Sequence, residues 1–429
     1  MIAAERLDHA GGAGDARPVP GRSDAAEINQ AGSGRARSGQ GCAMAVRRLT
    51  LTDFRNYASL RLDLQAAPVA LIGPNGAGKT NLLEAVSLLT PGRGLRRAKI
   101  SDMDRRRTEA PGDGSFPAGG SDAGGWGVSA EVDSIVGPVK IGTGREPGGE
   151  RRSVRINGAP SSAQALSGYL GAVWVTPQMN QIFLESAGNR RRFLDRLIFA
   201  TDPAHAGRVS SYEQAMRDRA RLLKDRGANG ADKTWLSALE SQMAERGVAV
   251  AAARLDMADR LGQVAKDGFG PFPGAMVTVE GEVETWLRER PALAAEDAFR
   301  DSLAAGRMQD AVTGGAAVGP HRCDLRVRHL AKDMAADQCS TGEQKALLMA
   351  LVLAHARLLS AERGAVPLLL LDEVAAHLDE VRRAALFEAI VEFGTQAWLT
   401  GTDASVFAPM AGTAQAFRVV DACLQVERL

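Results

Sequence analysis

The sequence predicts an α/β fold: a mixed-β lobe built on a phosphate-loop core, interrupted in the chain by a long helical insertion. Three observations predict it. The short apolar run Val69–Ile72 leads directly into Gly73-Pro74-Asn75-Gly76-Ala77-Gly78-Lys79-Thr80, which fits the phosphate-cradling pattern G-x-x-x-x-G-K-[ST] between a strand and a helix. A second apolar run, Leu368–Leu371, ends in the carboxylates Asp372 and Glu373 about 300 residues downstream; a continuous apolar run suits a strand buried on both faces. Between them, Gln181 to about Lys266 carries leucine, methionine and alanine at helical spacing.

The elements follow in order. Residues 1–43 are rich in Gly, Ala, Arg, Asp and Ser and hold too little apolar surface to offset the entropy of ordering. They are expected to be a disordered tail or a misassigned extension, with Met44 as the true start. Alternation over 46–72 predicts two strands and a third entering the phosphate loop, and Asn81 to Leu89 reads as the helix after it. Val128–Val132, Val139–Gly142 and Ser153–Ile156 read as short strands, with Asn157-Gly158 as a hairpin turn. Pro111–Gly125 reads as a surface loop, and 169–176 as a strand ending at Pro177. Breaks at Arg226-Gly227 and Asn229-Gly230 are expected to divide the insertion into two long helices. Met276–Val279 reads as a strand and Ala292–Gly306 as a helix; strand signals return at Leu325–Val327, Leu368–Leu371, Ala397–Leu399 and Phe417–Val420.

Bulk properties narrow the function. A chain of 429 residues is long enough for two or three domains. The net charge of +1 announces no nucleic-acid partner by itself. The four cysteines, Cys42, Cys323, Cys339 and Cys423, form no C-x-x-C pair, which argues against a zinc site or disulfide framework and suits a reducing cytoplasm. No apolar run approaches the ~20 residues of a membrane helix, and no membrane partner is expected.

The candidate site has a mechanism at each position. Gly73, Pro74, Asn75, Gly76, Ala77 and Gly78 would wrap backbone N–H groups around an anion. Lys79 would reach the β/γ-phosphates and the Thr80 hydroxyl would ligate Mg²⁺. The helix opening at Asn81 would direct its positive end at the phosphates. Asp372 would hold Mg²⁺ opposite Thr80, and Glu373 would act as general base on an attacking water; the bland alternative is a buried strand followed by a solvated acidic turn. Ser340 with Glu343 fits a capping box, so Ser340-Thr341-Gly342-Glu343-Gln344-Lys345 is at least a well-capped helix start. Ser340 and Gly342 could also present that N-terminus to a phosphate.

The order of these segments resembles an ABC-type ATPase head of the SMC and RecF group, and more narrowly the RecF family of recombination mediators. The segments that carry the resemblance are LTDFRNY at 51–57, RINGAP at 155–160, RRRFLDRL at 190–197, GPHR at 319–322, STGEQK at 340–345 and LTGTD at 399–403. The resemblance spans residues 46–429. It implies an ATPase head in two parts, 44–178 and 316–429, with helical lobe II at 179–315. It makes STGEQK the signature segment and Asp379 the end of a D-loop-like segment, and sets Asp403 where transporters carry a switch histidine. Gln178 would sense the γ-phosphate or metal, although the family commonly has an acidic pair at 178–179. Cys323 replaces the family's usual Asp or Ser, so no carboxylate is required there.

The resemblance further implies ATP with Mg²⁺ as cofactors and a weak, DNA-stimulated ATPase used as a switch. Two copies would sandwich ATP, the signature of one covering the phosphate loop of the other. The implied partners are single- and double-stranded DNA, including gapped junctions, together with RecR and RecO, in loading recombinase during DNA damage repair and replication restart. Basic clusters at Arg93, Arg96, Arg97, Lys99, at Arg105, Arg106, Arg107 and at Arg190, Arg191, Arg192 are candidates for sequence-independent phosphate contacts, or are simply solvated charges. Competing readings are an ABC transporter subunit, an SMC-type tether and a non-hydrolysing nucleotide sensor. The long helical insertion and Asp403 count against the first, and the short helical region against the second. Glu373 counts against the third.

Overall fold

A computed structural model describes residues 42–105, 124–375 and 378–429. The expectations for residues 1–41, for most of the Pro111–Gly125 loop and for Arg106 and Arg107 lie outside the described residues. Cys42–Ala43 pair in parallel with Ala365–Val366, and Met44 is buried in the core.

Two six-stranded sheets form the first lobe. One runs in the order Cys423–Glu427, Gln415–Val420, Val69–Ile72, Ala397–Gly401, Leu368–Leu371 and Ala172–Val175. Its neighbours are parallel except for the final hairpin. The central strands are apolar along their whole length because both faces are covered. The other sheet is antiparallel, in the order Tyr57–Asp63, Ala45–Phe54, Trp126–Ser134, Gly137–Arg145, Ser153–Ile156 and Ala159–Ser161. Its last hairpin turns at Asn157 and Gly158, both with positive φ (51° and 85°), as the Asn-Gly pair requires.

Inward residues of both sheets share one hydrophobic cluster with Leu82, Leu83 and Val86 of the phosphate-loop helix Lys79–Ser87. Gln396 stitches the sheets together: its Oε1 accepts from Val46 N–H at 2.8 Å and its Nε2 donates to Val46 O at 3.0 Å and Gln65 O at 2.8 Å. The register of Ala45–Phe54 shifts between Val46 and Arg48, so this buried amide supplies partners where the ladder is irregular.

The helical lobe contains Ala187–Thr201, His205–Gly230, Lys233–Ala265, Glu282–Glu289, Ala292–Ala305 and Arg307–Thr313. Of the two expected breaks, Gly227 (φ 67°, ψ 167°) kinks one helix internally. The chain turns at Ala231–Asp232, where Asp232 caps the next helix by accepting from Thr234 N–H and Trp235 N–H. Strand Ala275–Glu280 pairs with Asp324–His329, which also pairs with Met334–Ala335. This small sheet takes strands from both sides of the 315/316 boundary.

The distal end of the helical lobe has its own core, including Tyr212, Leu236, Met243 and Phe299. Beside it Arg219, 1% exposed, donates to Glu240 at 3.0 Å, Asp310 at 2.7 Å and Leu303 O at 2.6 Å; Arg307 also pairs with Glu240. Two cations meet two carboxylates, and four helices are tied at one point.

Helix Thr341–Arg363 is long and apolar enough to cross a membrane, but 72% of its most apolar window is buried inside the protein. Its hydrophobicity serves the core.

Arg219→Ala leaves Glu240 and Asp310 buried with one cation fewer. Chemical denaturation is expected to show a loss of about 3–5 kcal/mol, the scale for breaking a buried ion network. A loss below about 1 kcal/mol would show that the network is not buried as described.

Candidate functional site

Parallel strands place their carboxyl ends on one edge, and open α/β sheets bind ligands there. Five segments leave that edge: Gly73 after Val69–Ile72, Pro177–Gln181 after Ala172–Val175, Asp372-Glu373 after Leu368–Leu371, Thr402-Asp403 after Ala397–Gly401, and Asp421-Ala422 after Gln415–Val420.

The loop Gly73–Thr80 holds its shape through backbone freedom and close approach. Gly76 and Gly78 have φ of 85° and 113°, which only glycine adopts without strain. A Cβ at Gly73 would stand 2.1 Å from Val419 O. Ala77 N–H returns to Pro74 O, and Asn81 and Leu82 N–H return to Gly78 O. The N–H groups of Asn75, Gly76, Gly78, Lys79 and Thr80 find no acceptor among the described residues. That set of free donors at a helix N-terminus fits an anion. Lys79 Nζ lies folded over the loop, donating to Gly73 O at 2.7 Å and Pro74 O at 2.9 Å. Burial holds its ammonium below the usual lysine value, opposed by Glu373 and Asp372.

The acidic strand end meets the loop directly. Thr80 Oγ1 donates to Asp372 Oδ1 at 2.9 Å, and Thr400 Oγ1 donates to the same oxygen at 2.9 Å. Thr400 Oγ1 in turn accepts from Glu373 N–H at 2.8 Å. Burial pushes the Asp372 carboxyl above the ordinary carboxylate range, against the two hydroxyl bonds. Glu373 has φ 55° and is half-buried, so the chain turns sharply after Asp372. The hydroxyl and carboxylate are hard oxygen donors of the type Mg²⁺ takes, and they already touch.

Gln178 is exposed in the turn Pro177–Gln181, on the same edge. Asp403 caps the short helix Ala404–Met410 by accepting from Ser405 N–H at 2.9 Å, a bond that lowers its pKa. Asp379 likewise caps Glu380–Phe393 and pairs with Arg382 at 3.1 Å.

The signature segment stands apart. Ser340 is the N-cap of helix Thr341–Arg363, with both halves of the capping box made to Glu343. Ser340, Thr341 and Gly342 are exposed. None of the hydrogen bonds of Ser340 or Glu343 reaches Gly73–Thr80. Gly342 instead lies near the start of Glu380–Phe393, its Cβ position 3.9 Å from Arg382 Nη1.

Several roles had no sequence signal of their own. The turn between the first two strands of the antiparallel sheet grips the loop: Asn56 Nδ2 donates to Ala77 O at 3.2 Å, and Tyr57 OH donates to Gly78 O at 3.2 Å. Asn81 Nδ2 donates to Asn56 Oδ1 at 2.7 Å. Arg55 pairs through two bonds of 2.8 Å with the fully buried Glu84 of the phosphate-loop helix. In sequence, 51–57 marked only a resemblance. Thr400, which joins Asp372 to Glu373, was legible only as part of LTGTD.

The basic clusters divide. Arg96 is spent on Glu84 and Asn81, Arg105 pairs with Asp53 at 3.8 Å, and Arg190 makes a two-bond pair with Asp324 at 2.7 and 2.8 Å. Arg191 donates to Cys323 O at 2.5 Å, and Arg192 to Asn189. The reading of 190–192 as phosphate-contacting or solvated charge is corrected for Arg190 and Arg191, which fasten the helical lobe to Cys323-Asp324; Arg192 stays exposed. Arg93, Arg97 and Lys99 remain exposed.

Comparison with known proteins accords with this arrangement. The family model described as RecF/RecN/SMC N terminal domain matches residues 45–424. A Mesorhizobium japonicum protein named DNA replication and repair protein RecF is 50% identical over 386 residues, covering 88% of this chain and 96% of its own length. The protein of that name from Agrobacterium fabrum is 48% identical over 381 residues, covering 88% and 97%. Among solved structures, the recombination mediator protein RecF with ATPrS, of the RecFOR pathway, aligns with a TM-score of 0.77 at 22% identity, over 90% of this chain and 99% of that one. RecF with ATP aligns with a TM-score of 0.76 at 22% identity, over 91% and 100%. The fold is thus the ABC-type head with an inserted helical lobe, and the chain belongs to the RecF family of DNA replication and repair proteins.

Proposed function

We propose that this chain is an ATP-gated DNA-binding protein of recombinational repair and replication restart, in which two copies close head to head around ATP. The observation that carries the reading is the meeting of Thr80, Asp372 and Thr400 beside a loop of free N–H donors. In this reading the loop amides and Lys79 bind the β/γ-phosphates. Thr80 and Asp372 hold Mg²⁺, which offsets phosphate charge when bound. Glu373, its backbone fixed by Thr400, orients a water and takes its proton. Gln178 and Asp403 stand at the rim of the same edge to sense the terminal phosphate.

Ser340 and Gly342 complete the site in trans. Their exposure and their separation from the loop of the same chain support this assignment. ATP then binds the closed dimer better than the open monomer, and that difference supplies the switch; slow hydrolysis reopens it. The DNA surface is assigned to Arg93, Arg97 and Lys99, which are exposed and make no ion pair among the described residues, unlike Arg96 and Arg105. Gapped duplex is the proposed substrate, with RecO and RecR as partners in recombinase loading in the cytoplasm.

Two outcomes test this reading. Ser340→Arg places a long cation at the signature helix start. Sedimentation with ATP should show the dimer lost, while ATP affinity of the dilute protein stays within about twofold, less than 0.5 kcal/mol. Undiminished dimerisation would refute the trans role. For DNA, the Arg93→Ala/Arg97→Ala double variant should lower the slope of log affinity against log salt by about 2, near 0.9 per phosphate contact. An unchanged slope would remove these arginines from the DNA surface.

A further inference from the structure

We propose that Lys332 is a positioning residue of the signature segment: it neutralises Glu343, so that the start of helix Thr341–Arg363 can receive the terminal phosphate of a nucleotide held by a second copy. This rests on the trans reading of Ser340.

The argument begins with what Ser340 already does. Its N–H and its hydroxyl both donate to Glu343 Oε2 at 2.9 Å, and Glu343 N–H returns to Ser340 Oγ at 3.4 Å. A carboxylate there satisfies the helix start. It also sets a negative charge where a multiply charged anion would arrive, and like charges oppose binding. Protonation does not relieve the conflict, because the Lys332 contact and the Ser340 bonds hold the Glu343 carboxyl down at about 2. The charge must be cancelled by a neighbour.

Lys332 Nζ supplies the cancellation. It donates to Glu343 Oε1, the oxygen Ser340 does not use. Backbone geometry brings it there. Leu330–Lys332 form one short helical turn, and Asp333 follows in the left-handed region (φ 47°). Asp333 is held in turn by Arg328 Nε at 2.6 Å. The chain then enters the turn Ala336–Gln338 before the signature. Gln344, 3% exposed, fixes the last step by donating from Nε2 to Cys339 O at 2.9 Å.

The other ion pair near Gly342, Arg382 with Asp379, is balanced within itself. Lys332 is thus the one cation in contact with Glu343 among the described residues. When a phosphate arrives, the Ser340 hydroxyl turns from Glu343 toward it, and Lys332 keeps the released carboxylate paired.

The test is a double-mutant cycle on the full chain. Wild type, Lys332→Gln, Glu343→Gln and the double variant are compared by ATP-dependent sedimentation, with ATP affinity of the dilute monomer measured in parallel. Glutamine at 343 retains the capping box, so the double variant keeps the helix start while removing both charges. Lys332→Gln should weaken dimerisation by at least about tenfold, the scale of one unpaired charge near an anion, and less so at high salt. The double variant should recover to within about threefold of wild type, about 0.7 kcal/mol. Wild-type dimerisation by Lys332→Gln, or failure of Glu343→Gln to rescue it, overturns the charge-balance role. Absence of an ATP-dependent dimer in wild type overturns the trans reading itself, and the inference with it.

Discussion

One carboxylate oxygen organises the site. Asp372 Oδ1 accepts hydroxyl protons from Thr80, at the start of the phosphate-loop helix, and from Thr400, at the end of the neighbouring strand. The three residues come from segments that meet only because their strands are parallel and adjacent. Shifting any of these strands by one residue would send the hydroxyl or the carboxylate to the opposite face. The unbroken apolar runs Val69–Ile72 and Leu368–Leu371 make such a slip costly, since every position is buried. The hydrophobic core thus fixes the register, and the register fixes the meeting of Thr80, Asp372 and Thr400. The cost is a carboxylate held away from water, visible as the raised pKa of Asp372; a bound cation would relieve it.

The antiparallel sheet secures the same site from the other side. Its first turn offers Asn56 and Tyr57 to the carbonyls of Ala77 and Gly78, which holds the loop backbone in place and leaves its amides free. Arg55 anchors that turn to Glu84 one helical turn beyond Thr80. At the far end of the sheet, Gln396 ties Val46 to the parallel strands. The loop is preorganised, whereas the signature segment is exposed and built on a different helix. A rigid half-site and a separate exposed half-site in one chain are what the proposed head-to-head pairing would join.

What was legible in the sequence follows from what each feature needs. The phosphate loop requires particular glycines, a lysine and a threonine in consecutive order, so its function is local and readable. Leu368–Glu373 was readable because a doubly buried strand has a continuous apolar signature. The capping box at Ser340 is likewise a four-residue pattern. Arg190 and Arg191 misled as surface charges because a charge in sequence carries no record of its partner. Asp324, which neutralises Arg190, lies in a strand more than a hundred residues away. Thr400 and Lys332 were opaque for the same reason: each acts through a residue that only tertiary packing brings near. Gly227 was readable as a break because glycine takes φ 67°, ψ 167° without strain; the helix is interrupted there and resumes beyond the kink.

The central claim is that the phosphate loop and the signature segment of different copies form one nucleotide site. Mixing two complementary variants tests it most directly. Lys79→Ala removes the loop's cation and keeps the signature; Ser340→Arg does the reverse. Each alone should lack ATP-dependent association and hydrolysis. In a mixed dimer, the loop of the Ser340→Arg chain faces the signature of the Lys79→Ala chain, which restores one intact site of two. Recovery of ATPase on mixing, up to about half of the wild-type rate for independent sites, is the result expected. No recovery at any mixing ratio, with both variants folded, would contradict a site shared between two chains.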